Sequence, residues 1–172
     1  MAGKSTPSPK FTDSPIKFVW ETQSDEPSDL PCLPLRISDS LTLVALIDTG
    51  AETSYVNSDT FERVTDVIGH RIDFDPVFGT AGSKGVDLHS RIFGRAYIEG
   101  TIFGAKIESA FYILVDETSV DYDLIIGVDI LKDIKAVFYF GSWSLGSPLF
   151  EKPIKFLTAT QRETLMKLKP KN

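Results

Sequence analysis

A run of apolar residues leads directly into an acidic turn, and this junction constrains the fold more than any other feature of the sequence. The pair Leu46-Ile47 has the character of a buried strand, and Asp48-Thr49-Gly50-Ala51 follows without a spacer. Glycine tolerates backbone conformations that other residues avoid, so Gly50 permits a tight turn here. The sequence therefore predicts a strand that holds the Asp48 carboxylate at its end. The Asp-Thr-Gly triplet occurs only once in the chain.

Short segments rich in β-branched and aromatic residues surround this junction and predict an all-β domain. Residues 35–37 and 41–47 flank Ser38-Asp39-Ser40, which has the composition of a turn, so the two segments are predicted to form a hairpin. Single glycines interrupt the later strands, as expected where a strand bends or another backbone approaches closely. The predicted strands are residues 35–37, 41–47, 54–56, 91–100, 101–115 and 136–140.

Helical patterns are short. Residues 59–67 place apolar side chains on one face of one or two helical turns. Asp129 has the character of a residue at a helix N-terminus. Residues 158–169 contain the capping-box pattern Thr160-x-x-Glu163, which predicts a further short helix near the end of the chain.

Composition divides the chain into three parts. Residues 1–34 are rich in Pro and Ser, which predicts a linker or disordered arm, although residues 16–20 are apolar enough to dock as an edge strand. Residues 35–141 hold the predicted strands and form the central domain. Residues 142–172 are predicted to be a C-terminal extension with a short helix. No internal repeat is visible, which disfavours a chain with two equivalent lobes.

Composition and charge also exclude several classes of function. At 172 residues with 42% apolar residues, the chain is sufficient for one domain with tails and a single core. The net charge of −6 disfavours nucleic-acid binding across the surface, and the basic residues near the C-terminus fit a solvated helix face. The sequence shows no membrane-spanning run and no signal core, and the single Cys32 fits a reducing compartment. We therefore expect a soluble cytoplasmic protein.

Two blocks of sequence and the glycine-rich segment between them follow one known pattern. The first block is residues 46–53, and the second is Leu124-Ile125-Ile126-Gly127 with the short helix after it. Between them, Gly79, Gly82 and Gly85 lie in a segment typical of a hairpin flap, and residues 91–115 contain strands. Over roughly residues 35–140 the chain resembles the retropepsins, the retroviral-type aspartic proteases of retroviruses and LTR retrotransposons.

The resemblance implies a fold, an oligomeric state and a set of site residues. It implies a closed, barrel-like β-domain with a flap hairpin and one short helix near Asp129, active as a homodimer. Asp48 of each chain would form the catalytic dyad, Thr49 would hydrogen-bond across the two-fold axis, and Gly50 would let the backbone approach the dyad. The residues implied to bind substrate are Leu46, Ala51, Glu52, Gly79, Thr80, Ala81, Gly82 and Ile125.

The implied chemistry is hydrolysis of peptide bonds in extended polypeptides. Two facing carboxylates repel each other, which raises the pKa of one, so that at mildly acidic pH one is ionised and the other protonated. The ionised group would activate a water, and the protonated group would stabilise the developing gem-diol. Gag-Pol-type polyprotein processing is the expected role, with virus-like particles as a further location besides the cytoplasm.

The sequence departs from the family pattern in the second block. Retroviral enzymes commonly carry Arg after the glycine, paired with the acidic residue after Asp-Thr-Gly-Ala, whereas Val128 follows Gly127 here. Glu52 therefore lacks that partner. One alternative is that the chain is a retropepsin-fold dimerisation or peptide-binding module whose catalysis is weak or lost. Another is a domesticated cellular protease.

Other chemistries have little support in the sequence. His70 and His89 have no Cys or His at ligand spacing, and Asp121 and Asp123 lie beside turns, so no metal site is predicted. Cys32 has no general base nearby in sequence, which argues against a thiol nucleophile. The chain is expected to need no cofactor.

Overall fold

The barrel begins with a hairpin of two apolar strands. The computed structural model describes residues 28–68, 74–82, 89–115 and 119–169. Strand β1 (Cys32–Ser38) pairs antiparallel with β2 (Leu41–Ile47), as the sequence predicts. The strand starts three residues before the predicted position because Cys32 and Leu33, both fully buried, already belong to the packed interior.

Six strands close into a barrel. The strands after the first hairpin are β3 (Tyr55–Asn57), β4 (Phe74–Gly82), β5 (His89–Ile102), β6 (Ala105–Leu114) and β7 (Leu124–Ile126). The order around the barrel is β1-β2-β7-β3-β6-β5, and β5 closes the ring by pairing with β1 at Arg36 and Thr101. A Cβ on Gly100 would lie 2.8 Å from the Arg36 carbonyl oxygen, so closure requires glycine there. The predicted all-β barrel is confirmed.

Strand β4 lies outside this ring. It pairs antiparallel with β5, with Gly79 opposite Ile92 and Gly82 opposite His89, and the register shifts between Pro76 and Gly79. The segment predicted as a flap lies at the turn end of this hairpin. The rest of this segment, including Gly85, lies outside the described residues.

A helix covers one side of the barrel. Helix α1 (Ser58–Ile68) begins after Asn57, whose side-chain oxygen accepts a hydrogen bond of 2.7 Å from the Thr60 amide. Val64 is fully buried, and Phe61 and its apolar neighbours pack against the barrel core. The face predicted for residues 59–67 is therefore the buried one, and the helix is longer than expected at 11 residues.

The chain after the barrel forms a second, smaller sheet. Helix α2 (Val128–Asp133) follows β7 directly and is the short helix predicted at Asp129. Strands β8 (Val137–Tyr139), β9 (Ser144–Gly146) and β10 (Ile154–Lys155) then form an antiparallel sheet in the order β10-β9-β8. Leu145, Ile154 and Phe156 pack in the same core as the barrel. The small sheet and the barrel therefore share one interior.

The last helix has a different cap from the predicted one. Helix α3 (Ala159–Lys167) is capped by Thr158, whose hydroxyl accepts from the Gln161 amide at 3.1 Å while Gln161 Oε1 accepts from the Thr158 amide at 2.9 Å. The predicted capping pair of Thr160 and Glu163 is wrong. Thr160 is already helical, and its carbonyl accepts a hydrogen bond from the Thr164 hydroxyl.

Several predictions for the ends of the chain stay untested. Residues 1–27 of the predicted arm (residues 1–34), including its candidate strand at residues 16–20, lie outside the described residues. The division into three parts remains a prediction. Within the described part of the chain, none of the helices has both the length and the apolar character needed to cross a membrane.

Candidate active site

Asp48 is held on a tight turn at the end of β2. Its amide donates to the Ile126 carbonyl at 2.9 Å, and its carbonyl accepts from the Ala51 amide at 3.2 Å. The Gly50 amide donates to Asp48 Oδ1 at 2.9 Å, so the turn itself orients the carboxylate. A Cβ on Gly50 would lie 3.2 Å from the same oxygen, a tight contact that a larger residue would have to relieve by a small shift of the carboxylate.

The tip of this turn faces outward. Asp48 is half-buried, whereas Thr49, Gly50 and Glu52 are exposed. The backbone of this loop is thus held by hydrogen bonds, and its polar groups are exposed at the surface. Such an arrangement suits a site that another molecule or another copy of the chain completes.

Strand β7 supports the Asp48 turn because it lies between β2 and β3. It runs parallel to β2, with Ile126 beside Ile47, and antiparallel to β3. The chain beyond it donates two backbone hydrogen bonds to the loop, from Val128 to the Ala51 carbonyl at 2.7 Å and from Asp129 to the Glu52 carbonyl at 3.2 Å. The two sequence blocks are therefore one structural unit.

Gly127 is the point of closest approach between those blocks. A Cβ there would lie 2.4 Å from the Thr53 carbonyl oxygen and 2.7 Å from that of Ala51. Real Cβ atoms cannot occupy such positions, so any larger residue would displace the loop. The glycine is consequently required by the packing of the loop against β7.

Ser54 and Asp129 form a side-chain tie that the sequence analysis missed. The Ser54 hydroxyl donates to Asp129 Oδ1 at 2.7 Å, the Ser54 amide donates to Oδ2 at 3.1 Å, and the Gly127 amide donates to the hydroxyl at 2.9 Å. Asp129 was assigned only to the helix start. This tie stabilises the loop beside Val128.

Leu46 and Ile125, two of the residues implied to bind substrate, lie side by side on one face of the sheet, next to Tyr55 and Tyr112. Leu46 is the neighbour of Ile125 in the parallel register of β2 and β7, and Tyr55 is the antiparallel partner of Ile125. Tyr55 in turn neighbours Tyr112, with ring centroids 6.2 Å apart. All four side chains are half-buried. Alternation along β2 puts Leu46 and Asp48 on the same face.

The remaining predicted residues divide between the loop and the hairpin. Ala51 is half-buried beside Gly127. Gly79, Thr80, Ala81 and Gly82 belong to β4, where their backbone pairs with β5.

Asp123, which the sequence analysis places beside a turn, has a structural role in the interior. It is 3% exposed, and its Oδ2 accepts from the Val44 amide at 2.7 Å. Lys169 Nζ lies 3.1 Å from Oδ2, and Arg63 Nη1 lies 3.7 Å from Oδ1. Burial lowers the pKa of Lys169, and the attraction of Asp123 partly offsets that shift. A carboxylate surrounded in this way does not face a substrate.

Other reactive groups in the structure do not form a competing site. The described residues contain no cluster of His, Cys, Asp or Glu that could hold a metal ion. Burial raises the pKa of the Cys32 thiol to about 12, with Arg162 opposing the shift. A protonated, buried thiol is a poor nucleophile. His70 lies outside the described residues.

Comparison with known proteins gives a structural match. No protein-family profile and no curated protein sequence matches the chain. The retroviral protease-like domain of Ddi1 from Leishmania major superposes with a TM-score of 0.57 and 26% identity, covering 77% of this chain and 97% of that domain. The EIAV protease complexed with the inhibitor HBY-793 gives a TM-score of 0.49 and 23% identity, covering 66% of this chain and 95% of that protease. Together with the closed barrel, the first of these matches shows that the chain has the retropepsin-like fold.

Proposed function

We propose that the protein is an aspartic endopeptidase whose dyad consists of Asp48 from each of two copies. The observation that carries this proposal is the Asp48 turn, because the Gly50 amide fixes one carboxylate oxygen while the adjoining Thr49 is exposed. The chain supplies one such carboxylate, and the chemistry needs two. A second copy would supply the other.

In the proposed reaction, the two carboxylates share one proton. The ionised Asp48 takes a proton from the attacking water, and the protonated partner donates a hydrogen bond to the scissile carbonyl oxygen. As the water oxygen bonds to the carbonyl carbon, the partner passes its proton to the carbonyl oxygen and a gem-diol forms. The carboxyl group that took the water proton then gives it to the amine nitrogen while the C–N bond breaks, and one gem-diol hydroxyl returns its proton to the other carboxylate as the new carboxyl product forms. No group beyond these carboxylates and water is required.

The proposed substrate is an extended polypeptide. A peptide lying between the β4–β5 hairpin and the Asp48 turn would pair with backbone from both sides, as an added strand does. Leu46 and Ile125 would contact apolar side chains near the scissile bond, and Ala51 and Glu52 would lie along the substrate backbone. Gly79, Thr80, Ala81 and Gly82 would act as the flap that excludes water.

Strand β8 offers a surface on which two copies could meet. The order β10-β9-β8 makes it an edge strand among the described residues. Val137, Tyr139 and Phe140 are 49%, 44% and 71% exposed. An edge strand with exposed apolar side chains readily pairs with another strand.

The turn after β8 and the segment after β10 are hydrogen-bonded to the residues that lead into and begin β1. Trp143 Nε1 donates to the Ser28 carbonyl at 2.9 Å, and the Leu157 amide donates to that of Cys32 at 2.9 Å. The Ile47 amide donates to the Pro31 carbonyl at 2.8 Å. Residues 28–32 therefore join the small sheet to the residue before Asp48, which favours a homodimer with its dyad near this edge.

The biological substrate remains part of the proposal. Polyprotein processing, in the cytoplasm or in virus-like particles, fits a retropepsin-like fold. The likeness to a retroviral protease-like domain of Ddi1 equally supports a cellular role outside a Gag-Pol polyprotein. Cleavage assays on polypeptides encoded next to this chain would distinguish polyprotein processing from a cellular role.

The direct test compares wild type with Asp48→Asn on a library of peptides with apolar central residues at mildly acidic pH. We expect cleavage by wild type to rise more than proportionally with protein concentration and to disappear in the variant. Asp59→Asn, which changes an exposed carboxylate in the first turn of α1, is the matched control and should cleave normally. Absence of cleavage by folded, dimeric wild type would favour a dimerisation or peptide-binding module instead.

A further inference from the structure

Helix α3 packs on the face of β2 that also carries Asp48. Residues 44, 46 and 48 share this face because strand side chains alternate. Val44 and Cys32 form a buried cluster with Leu157 and Leu165, which come from the segment before α3 and from α3 itself. The helix thus covers the far end of the face whose near end is the candidate active site.

Five half-buried apolar side chains lie at the margin of this cluster, and three of them concern the cleft. Leu46, Tyr122 and Met166 each pack against it without being fully covered. Leu46 comes from β2, Tyr122 from the loop before β7, and Met166 from α3. Strand geometry puts the Cα of Leu46 about 7 Å from that of Asp48, and the Cα of Val44 about 13 Å away. An extended substrate rises about 3.4 Å per residue, so a side chain up to about four positions from the scissile bond can contact this face.

Two ion pairs fix α3 in this place. Near its start, Arg162 Nη1 lies 2.8 Å from Asp121 Oδ1, and just beyond its end, Lys169 Nζ lies 3.1 Å from the buried Asp123 Oδ2. Both carboxylates precede β7, the strand that supports the Asp48 turn. The helix is therefore tied at both ends to the residues beside Tyr122.

We propose that α3 forms the end wall of the substrate cleft and that Met166, with Leu46 and Tyr122, selects an apolar substrate side chain on one side of the scissile bond. This inference rests on the proposed peptidase function. Methionine is suited to the role because its flexible thioether adapts to differently shaped apolar groups. The C-terminal segment is then a specificity element of the enzyme.

The test uses the full chain and peptides that vary at one position at a time on each side of a cleaved bond. We expect Met166→Glu to lower kcat/KM at least tenfold for peptides with Leu or Phe at one such position and to improve the relative cleavage of peptides with Lys there. Met166→Leu should keep the wild-type preference. Lys167→Ala, an exposed change in the same helix, is the matched control.

The possible outcomes separate this inference from the proposed function. If wild type cleaves no peptide, the peptidase proposal itself fails. If wild type cleaves but Met166→Glu and Met166→Ala, with unchanged unfolding midpoints, keep the same preferences at every position, the role of α3 is overturned. A loss of rate that is equal for all peptides would also contradict it, because a specificity wall must discriminate among side chains.

Discussion

At the residue scale, the buried thiol of Cys32 predicts a measurable pH dependence of stability. Burial raises its pKa from 9.0 to about 12, so the folded state keeps a proton that the unfolded state releases above pH 9. The stabilisation is complete below pH 9 and is lost as pH rises toward 12. Wild type should lose about 1.4 kcal/mol relative to Cys32→Ala between pH 8 and pH 10.

Urea unfolding of both proteins across this pH range checks the prediction. Cys32→Ala also leaves a cavity, but that cost does not depend on pH, and every other titrating group is common to the two proteins. The informative quantity is therefore how the difference in unfolding free energy between wild type and Cys32→Ala changes with pH. A constant difference would show that the folded thiol ionises as readily as the unfolded one.

At the scale of elements, the attachment of α3 depends on a buried charge pair. Lys169→Met would leave the Asp123 carboxylate, 3% exposed, with the Val44 amide as a hydrogen-bond donor and, among the described residues, Arg63 at 3.7 Å as its remaining cationic partner. Breaking a buried pair in this way costs about 3 kcal/mol or more. We expect the free energy of unfolding to fall by roughly that amount.

A double-mutant cycle tests whether the charge itself is responsible. Asp123→Asn combined with Lys169→Met removes both charges and keeps a side-chain oxygen that can accept from the Val44 amide. The double variant should recover at least half of the loss measured for Lys169→Met. If it is as unstable as Lys169→Met, the cost arises from lost packing of the lysine rather than from an uncompensated carboxylate.

At the scale of the whole molecule, the proposed dimer should depend on the edge of β8. Val137→Lys combined with Phe140→Lys adds repelling charges to this edge, whereas both positions are exposed and should tolerate lysine in the monomer. We expect sedimentation to show monomers at concentrations where wild type is dimeric, and peptide cleavage to fall at least tenfold.

The matched control is Leu168→Lys, which changes an apolar residue that is 47% exposed at the end of α3. It should leave both the oligomeric state and the unfolding midpoint unchanged. Dimers that persist in the β8 double variant would exclude this edge as the contact. Loss of dimers with full activity would instead contradict the need for a second Asp48.

The sequence by itself determined the parts of the structure that depend on local pattern. The apolar and β-branched composition of residues 41–47 and the turn at Ser38-Asp39-Ser40 predicted the first hairpin, because strand and turn preferences act over a few neighbours. The Asp48 turn was recognisable for the same reason, whereas the Gly127 block was predicted only from its resemblance to the retropepsins. Close packing makes the glycine of that block nearly obligatory.

Only the tertiary structure decided how these parts meet. The tie between Ser54 and Asp129 joins residues 75 positions apart, and the bond from Val44 to Asp123 joins residues 79 apart. The packing of α3 against β2 is likewise a contact between distant segments. Burial and ion pairing at such contacts depend on which surfaces the closed barrel brings together, and no local preference encodes that. The same reason made Asp123 resemble a surface carboxylate in the sequence, although in the fold it is a buried anchor.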